Sequence, residues 1–230
     1  MRDQINTIGI VLTRTDFQEA DRILTFLTPD HGKVRVIAKG VRRPRSKLAG
    51  GIELLSVSDI SVLPGRGELG TLVSTRLVTH YGAIVQDLHR TMLAYDILKR
   101  LNRLTEDAAG EEYFNLLQTA LAGLDDKKLA VDVTELWFTM QLLDVTGHAP
   151  NLGTDAAGQK LAPSQAYQFD FDTMSFAPQP DGPFVADHIK LLRLCLVAQT
   201  PQPLGNVQNN DQYLPSLLKL VANLQQQIQS

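Results

Sequence analysis

Seven cationic side chains and no carboxylate fall in the first twenty residues of HGKVRVIAKGVRRPRSKLAGG (31–51). They are Lys33, Arg35, Lys39, Arg42, Arg43, Arg45 and Lys47, seven of the 22 basic residues in a chain of net charge -3. Like charges packed this closely repel one another, so the run gains most when a polyanion lies across it. Gly40, Pro44, Gly50 and Gly51 mark a shaped loop, RRPR keeps guanidinium groups together, and no acid interrupts before Glu53. The chemistry this suits is phosphate binding. Phosphate contacts give affinity and a steep salt dependence without reading sequence. Base stacking needs exposed aromatics. Only Phe17 and Phe26 precede Tyr81, and Phe26 is expected in the core. The expectation is therefore backbone-dominated, sequence-tolerant binding of nucleic acid.

Other chemistry finds little support. The chain has no GxxxxGK[ST] phosphate loop, no GxSxG, no HExxH and no GxGxxG. His31, His80, His89, His148 and His188 are scattered and are expected to be structural or solvated. Asp170 and Asp172 in FDFD would share one face of a strand, a spacing that can hold a divalent metal. The plainer reading is a polar strand face opposite Phe169 and Phe171. No enzyme is expected. Two alternatives stay open: an adaptor that docks an acidic peptide on the basic loop, and a metal-dependent nuclease built on the two aspartates.

The elements that would position the basic run can be read from periodicity. Residues 5–14, 22–28, 33–39, 54–63 and 70–80 are rich in β-branched residues, and PDHG (29–32) and PGRGELG (64–70) supply turns. In KVRVIAK, Val34, Val36 and Ala38 face one way and Lys33, Arg35, Ile37 and Lys39 the other. Five short strands without intervening helices predict a five-stranded oligonucleotide-binding barrel, the OB-fold, over residues 1–80. From residue 83 the period becomes helical, with Ile84, Leu88, Met92, Tyr95 and Leu98 on one stripe. Further helices are predicted near 110–123, 128–146, 184–199 and 212–228. The fold class is thus α+β, with a helical domain over 81–230. Residues 149–183, rich in Pro, Gly, Ala and Gln, form a loop-rich insert with a short strand or hairpin in QAYQFDFDTMSF.

Composition agrees with a folded domain: 43% of residues are apolar and 20% charged. No apolar run reaches the ~20 residues of a membrane span, and the N-terminus does not read as a secretory signal. The single Cys195, in an apolar setting, fits a reducing cytoplasm. Residues 1–80 hold 12 Lys and Arg against 8 Asp and Glu, and the remainder 10 against 17.

Four blocks carry a resemblance. GIVL (9–12), EADRILTFLT (19–28), HGKVRVIAKGVRRPRSKL (31–48) and LLDVTGHAPNL (142–152) are similar, in order and spacing, to the RecO family of bacterial recombination mediators. The resemblance implies an OB-fold followed by a helical domain, with binding to single- and double-stranded DNA and annealing of complementary strands. It implies partnership with RecR and with the acidic tail of the single-stranded-DNA-binding protein SSB, leading to RecA loading. It implies a cytoplasmic, nucleoid-associated location, and it places Lys33 to Lys47 on the family's DNA-binding segment. Many members carry a four-cysteine zinc site in the insert. Here Thr154 and Ala157 occupy the spacing of the first pair, with Gly158 matching the motif's glycine, and FDTMSFAPQP has no second pair. No zinc and no other cofactor are expected, and Tyr167, Phe169, Phe171 and Phe176 are expected to hold the insert by packing.

Overall fold

The computed structural model describes residues 3–65, 67–105 and 110–228, and statements of absence below refer to these. The chain divides into two compact units, residues 1–126 and 127–230.

In the first unit, strands β1 (Ile5–Phe17), β2 (Asp21–Thr28), β3 (Gly32–Ala38), β4 (Ser56–Leu63) and β5 (Leu69–His80) close a barrel in the order β1-β2-β3-β5-β4. This is the five-stranded OB topology the alternation predicts. The long β1 makes closure possible. Its first half, Ile5–Ile10, pairs with β4, and its second half pairs with β2 after a register shift between Val11 and Thr13. Such irregularities bend a strand and raise its twist. The β2–β3 turn is fixed by the buried Thr28, whose Oγ1 accepts from the His31 amide (3.1 Å) and donates to the Gly32 carbonyl (3.0 Å). Leu24, Phe26, Val36, Ala38, Ile60, Val62 and Leu72 fill the interior. The outer face of β2 is buried too, for Leu27 is wholly covered.

The covering comes from α1 (Leu88–Leu104) and α2 (Glu111–Asp125), which pack on β1 and β2 respectively. The compact unit therefore runs past His80, where the strands end, to Asp126. Counted by these units, residues 1–126 hold 16 basic and 16 acidic side chains, so the positive balance of residues 1–80 is offset within the same unit. Asp87 caps α1, its Oδ1 accepting from the Arg90 amide at 3.0 Å. Arg90, almost buried, donates to the carbonyls of Leu124 (2.7 Å) and Asp126 (3.0 Å) and so satisfies orphan acceptors where α2 ends.

The stripe expected on α1 is only partly a core stripe. Ile84 and Leu98 are buried, but Leu88, Met92 and Tyr95 are 71%, 61% and 47% exposed. The buried face is Leu93, Ala94, Ile97, Leu98 and Leu101. Ile84 sits in a separate 3-10 turn (Ile84–Gln86) before α1 begins, so it does not fix the helix phase.

In the second unit, α3 (Val131–Val145), α4 (Ala186–Val197), the short α5 (Gln202–Gly205) and α6 (Leu214–Ile228) pack around α3. Nine residues of α3 are buried, because neighbours surround it on several sides. Between α3 and α4 lies a three-stranded sheet of β6 (Asn151–Asp155), β7 (Tyr167–Asp170) and β8 (Ser175–Pro178), ordered β6-β8-β7. The β7–β8 hairpin matches the sequence expectation, and β6, parallel to β8, adds to it. The expected aromatic packing is present and longer than foreseen. Edge-to-face contacts link Phe171 to Phe169, Phe169 and Tyr167 to Phe176, and Phe176 onward to Phe184, His188 and Tyr213. No helix is long and apolar enough to cross a membrane.

Candidate nucleic-acid interface

After β3 the chain makes successive turns through residues 39–52, and core contacts hold the loop at three points. Val41 and Ile52 are buried in the barrel core, with Leu48 packed against it between them. The β1–β2 turn grips the start: Asp21 Oδ1 accepts from the Gly40 amide (2.7 Å) and the Ala20 carbonyl from the Arg42 amide (3.0 Å). Gly40 has φ +65°, which favours glycine. Gly51 lies so close to β5 that a Cβ would stand 1.8 Å from Thr75 Oγ1. Thr75 in turn donates to the Gly51 carbonyl at 2.9 Å.

The fold does not treat the seven cations alike. Lys39, Arg42, Arg43, Arg45 and Lys47 are exposed on the loop or at its start. Arg42 Nε lies 3.6 Å from Asp16 Oδ2, while Arg22 binds the other carboxylate oxygen at 2.8 Å. The hydrogen bond from Arg22, with the charges of Arg42, Arg22 and Arg14, holds the Asp16 carboxyl below its usual range against the opposing effect of desolvation. Lys39, Arg43, Arg45 and Lys47 meet no acid and donate no side-chain hydrogen bond among the described residues. Lys33 and Arg35 are elsewhere. Lys33, half-buried, donates to the Asn102 carbonyl in the last turn of α1 (3.0 Å), where a cation complements the helix dipole. Arg35, exposed, lies 3.7 Å from Glu68 on the β4–β5 loop. A run continuous in sequence is thus two groups in space, one on the first half of β3 and one on the loop that follows it.

Phe26 is fully buried and Phe17, at the end of β1, is 38% exposed. Phe17 pairs across the hairpin with Asp21, the residue that binds the Gly40 amide, so an aromatic ring stands at the foot of the basic loop. Its exposure follows from the overrun of β1 beyond the barrel wall, which the expected strand end at residue 14 misses.

The other candidates take structural roles. Asp170 ends β7, and Asp172 lies in the turn, so the two do not share a strand face. Asp170 accepts from the Asp172 amide and the Thr173 hydroxyl, each at 2.9 Å. These bonds lower the pKa of Asp170, Thr173 contributing most. No three His, Cys, Asp or Glu gather where they could hold a metal ion among the described residues. Where the family's first cysteine pair falls, Asp155 Oδ1 accepts from the Ala157 and Gln159 amides (2.9 and 2.8 Å) and Gly158 adopts φ +78°. A carboxylate turn shapes this knuckle with residues of the chain itself. Burial pushes the Cys195 thiol far above its ordinary range, so it is an inert part of the core.

Comparison with known proteins follows the same lines. Residues 1–81 match the family model described as Recombination protein O N terminal. Relatives named DNA repair protein RecO include three that cover different shares of this chain. That of Rubrobacter xylanophilus is 33% identical over 75% of this chain and 72% of its own length. That of Bifidobacterium longum subsp. infantis is 35% identical over 68% and 66%. That of Dehalococcoides mccartyi is 29% identical over 94% and 82%. The first of these is matched over more than two thirds of its length, the second over just under two thirds.

Proposed function

The chain belongs to the RecO family, and from that premise we propose that it is a DNA repair and recombination mediator whose loop 39–47 docks the sugar–phosphate backbone. The observation that carries the reading is the set of four loop cations without an acidic partner among the described residues, on a loop held by Val41, Leu48 and Ile52. An ordered loop loses little conformational entropy on binding, so more of the electrostatic gain appears as affinity.

The mechanism needs no bond-making step. Phosphates dock on Lys39, Arg43, Arg45 and Lys47 and release counterions, with Arg42 beside them drawn to Asp16. Two strands, each partly neutralised, approach, and base pairing supplies the specificity and the driving force. Single and double strands both present the phosphates this requires. The barrel of residues 1–80 carries DNA. The helical residues 81–230 are left for RecR and the SSB tail, steps toward RecA loading, with 149–183 as a zinc-free counterpart of the family's metal module. Membership in the family is what supports these partners and a location in the cytoplasm at the nucleoid.

The test is fluorescence anisotropy of a labelled mixed-sequence single strand over a salt series without added metal. The native protein is compared with Lys39→Glu/Arg42→Glu/Arg43→Glu. Salt-steep binding that collapses in a folded variant supports the loop as the DNA site. Unchanged binding by the variant overturns it. Affinity for an acidic peptide in place of DNA would instead favour the adaptor reading.

A further inference from the structure

We propose that the barrel holds a second, separate subsite: a cleft beside the start of β3 that seats one unstacked nucleotide, its base against apolar side chains and its phosphate toward Arg35. The inference deepens the DNA-binding reading and rests on it.

The cleft measures about 380 Å³. That lies within the range of roughly 300–1,000 Å³ typical of small-ligand sites. It is lined by the half-buried Ile5, Val34 and Pro64, with the buried Val62 behind them, and by His31, Lys33 and Arg35. Half-buried apolar side chains beside cations are the pairing a nucleotide needs, one part for the base and one for the phosphate. A bare inorganic anion would gain nothing from the apolar side chains, and an apolar ligand nothing from the cations.

The cations here are available in different degrees. Lys33 gives one of its three donors to the Asn102 carbonyl, which fixes the ammonium in place and leaves two. Arg35 is half-exposed, and its only carboxylate partner among the described residues is Glu68 at 3.7 Å. Glu68 is 78% exposed and sits on the β4–β5 loop, so it can swing into water as a phosphate takes its place. The loop cations are out of reach. Four positions of chain separate Arg35, the phosphate's partner, from Lys39, about 13 Å at roughly 3.3 Å per residue. The two cationic groups therefore grip different nucleotides, and the cleft, unlike the exposed loop, has a hollow for a base.

The experiment is a methyl-labelled NMR titration of the full chain with deoxyadenosine 5′-monophosphate, deoxyadenosine and inorganic phosphate at low salt. The nucleotide is expected to bind at least tenfold more tightly than either fragment and to shift the Ile5, Val34 and Val62 methyls. Arg35→Gln, at an exposed position that leaves the core intact, is expected to weaken it at least tenfold. Lys39→Glu/Arg42→Glu/Arg43→Glu is expected to leave it unchanged. A nucleotide no tighter than inorganic phosphate, shifts confined to other methyls, or indifference to Arg35→Gln would overturn the subsite. Failure of the function reading is seen separately, as unchanged oligonucleotide affinity in the loop variant.

Discussion

Lys33 and Arg43 carry the same charge ten residues apart, yet the structure gives their neutralisation opposite outcomes. Arg43 has no acidic partner among the described residues. With four such cations each meeting one phosphate, and about -0.7 in the slope of log K against log salt per contact, the native slope is about -3. Affinity then falls about 50-fold between 50 and 200 mM salt. Arg43→Gln removes one contact, which brings the slope to about -2 and the fall to about 20-fold, with thermal stability unchanged. Lys33→Gln removes a charged hydrogen bond to a carbonyl in the last turn of α1. That costs about 1.5 kcal/mol, or roughly 4–8 °C in the melting of the first unit. The slope for an oligonucleotide short enough to cover only the loop stays near its native value. Paired anisotropy and calorimetry on both variants decide the matter. If Lys33→Gln melts like the native protein and flattens the slope as Arg43→Gln does, the division of the run into two groups is wrong.

Three further outcomes are expected. His188 accepts the Val185 amide on Nδ1 (3.1 Å) and contacts Ser216 Oγ through Nε2 (2.9 Å), and burial lowers its pKa more than the Asp187 charge raises it. The unfolded chain then binds the proton more readily, so this contribution is complete above about pH 6.5 and lost as pH falls below it. Urea titrations at pH 7.5 and 5.5 should show the drop, and His188→Gln should flatten it. Phe176→Ala, in the middle of the aromatic chain, should cost about 3–5 kcal/mol in the second unit, whereas prolonged dialysis against a chelator should leave the unfolding curve unmoved; a chelator effect of comparable size would mean a metal holds the insert. Phe17→Ala should weaken single-strand binding by about 1–3 kcal/mol while sparing duplex binding, read by anisotropy with both probes, because only an unstacked base can use the ring.

The barrel was legible because its signals are local. Alternation and turn residues place five strands within a few residues of their observed limits, and the basic loop follows from consecutive charges. What stayed hidden depends on contacts across the chain. Nothing near Lys33 in sequence hints that Asn102, 69 positions on, will offer it a carbonyl. The reach of the first unit to Asp126 depends on α1 and α2 covering β1 and β2, which a strand-to-helix change at residue 83 does not reveal. The stripe on α1 misled because that helix is apolar on two faces, and periodicity alone does not say which one meets the barrel. Asp170 and Asp172 seemed paired only while the strand was taken to continue past residue 170.

The parallel seam between β3 and β5 rests on three registered pairs, Arg35–Leu69, Val36–Gly70 and Ile37–Thr71, whereas the β2–β3 hairpin has seven. It also joins segments some 34 positions apart, so in folding it pays its loop-closure entropy late. Barrel closure is therefore a separate event from hairpin formation, and brief reopening should begin at this edge. Amides of residues 69–71 should exchange hydrogen sooner than those inside the β2–β3 hairpin. Arg35, Glu68 and Gly70, which line the cleft, stand at that seam. A ligand seated there would act as a clasp across the edge, and protection of these amides would report its presence.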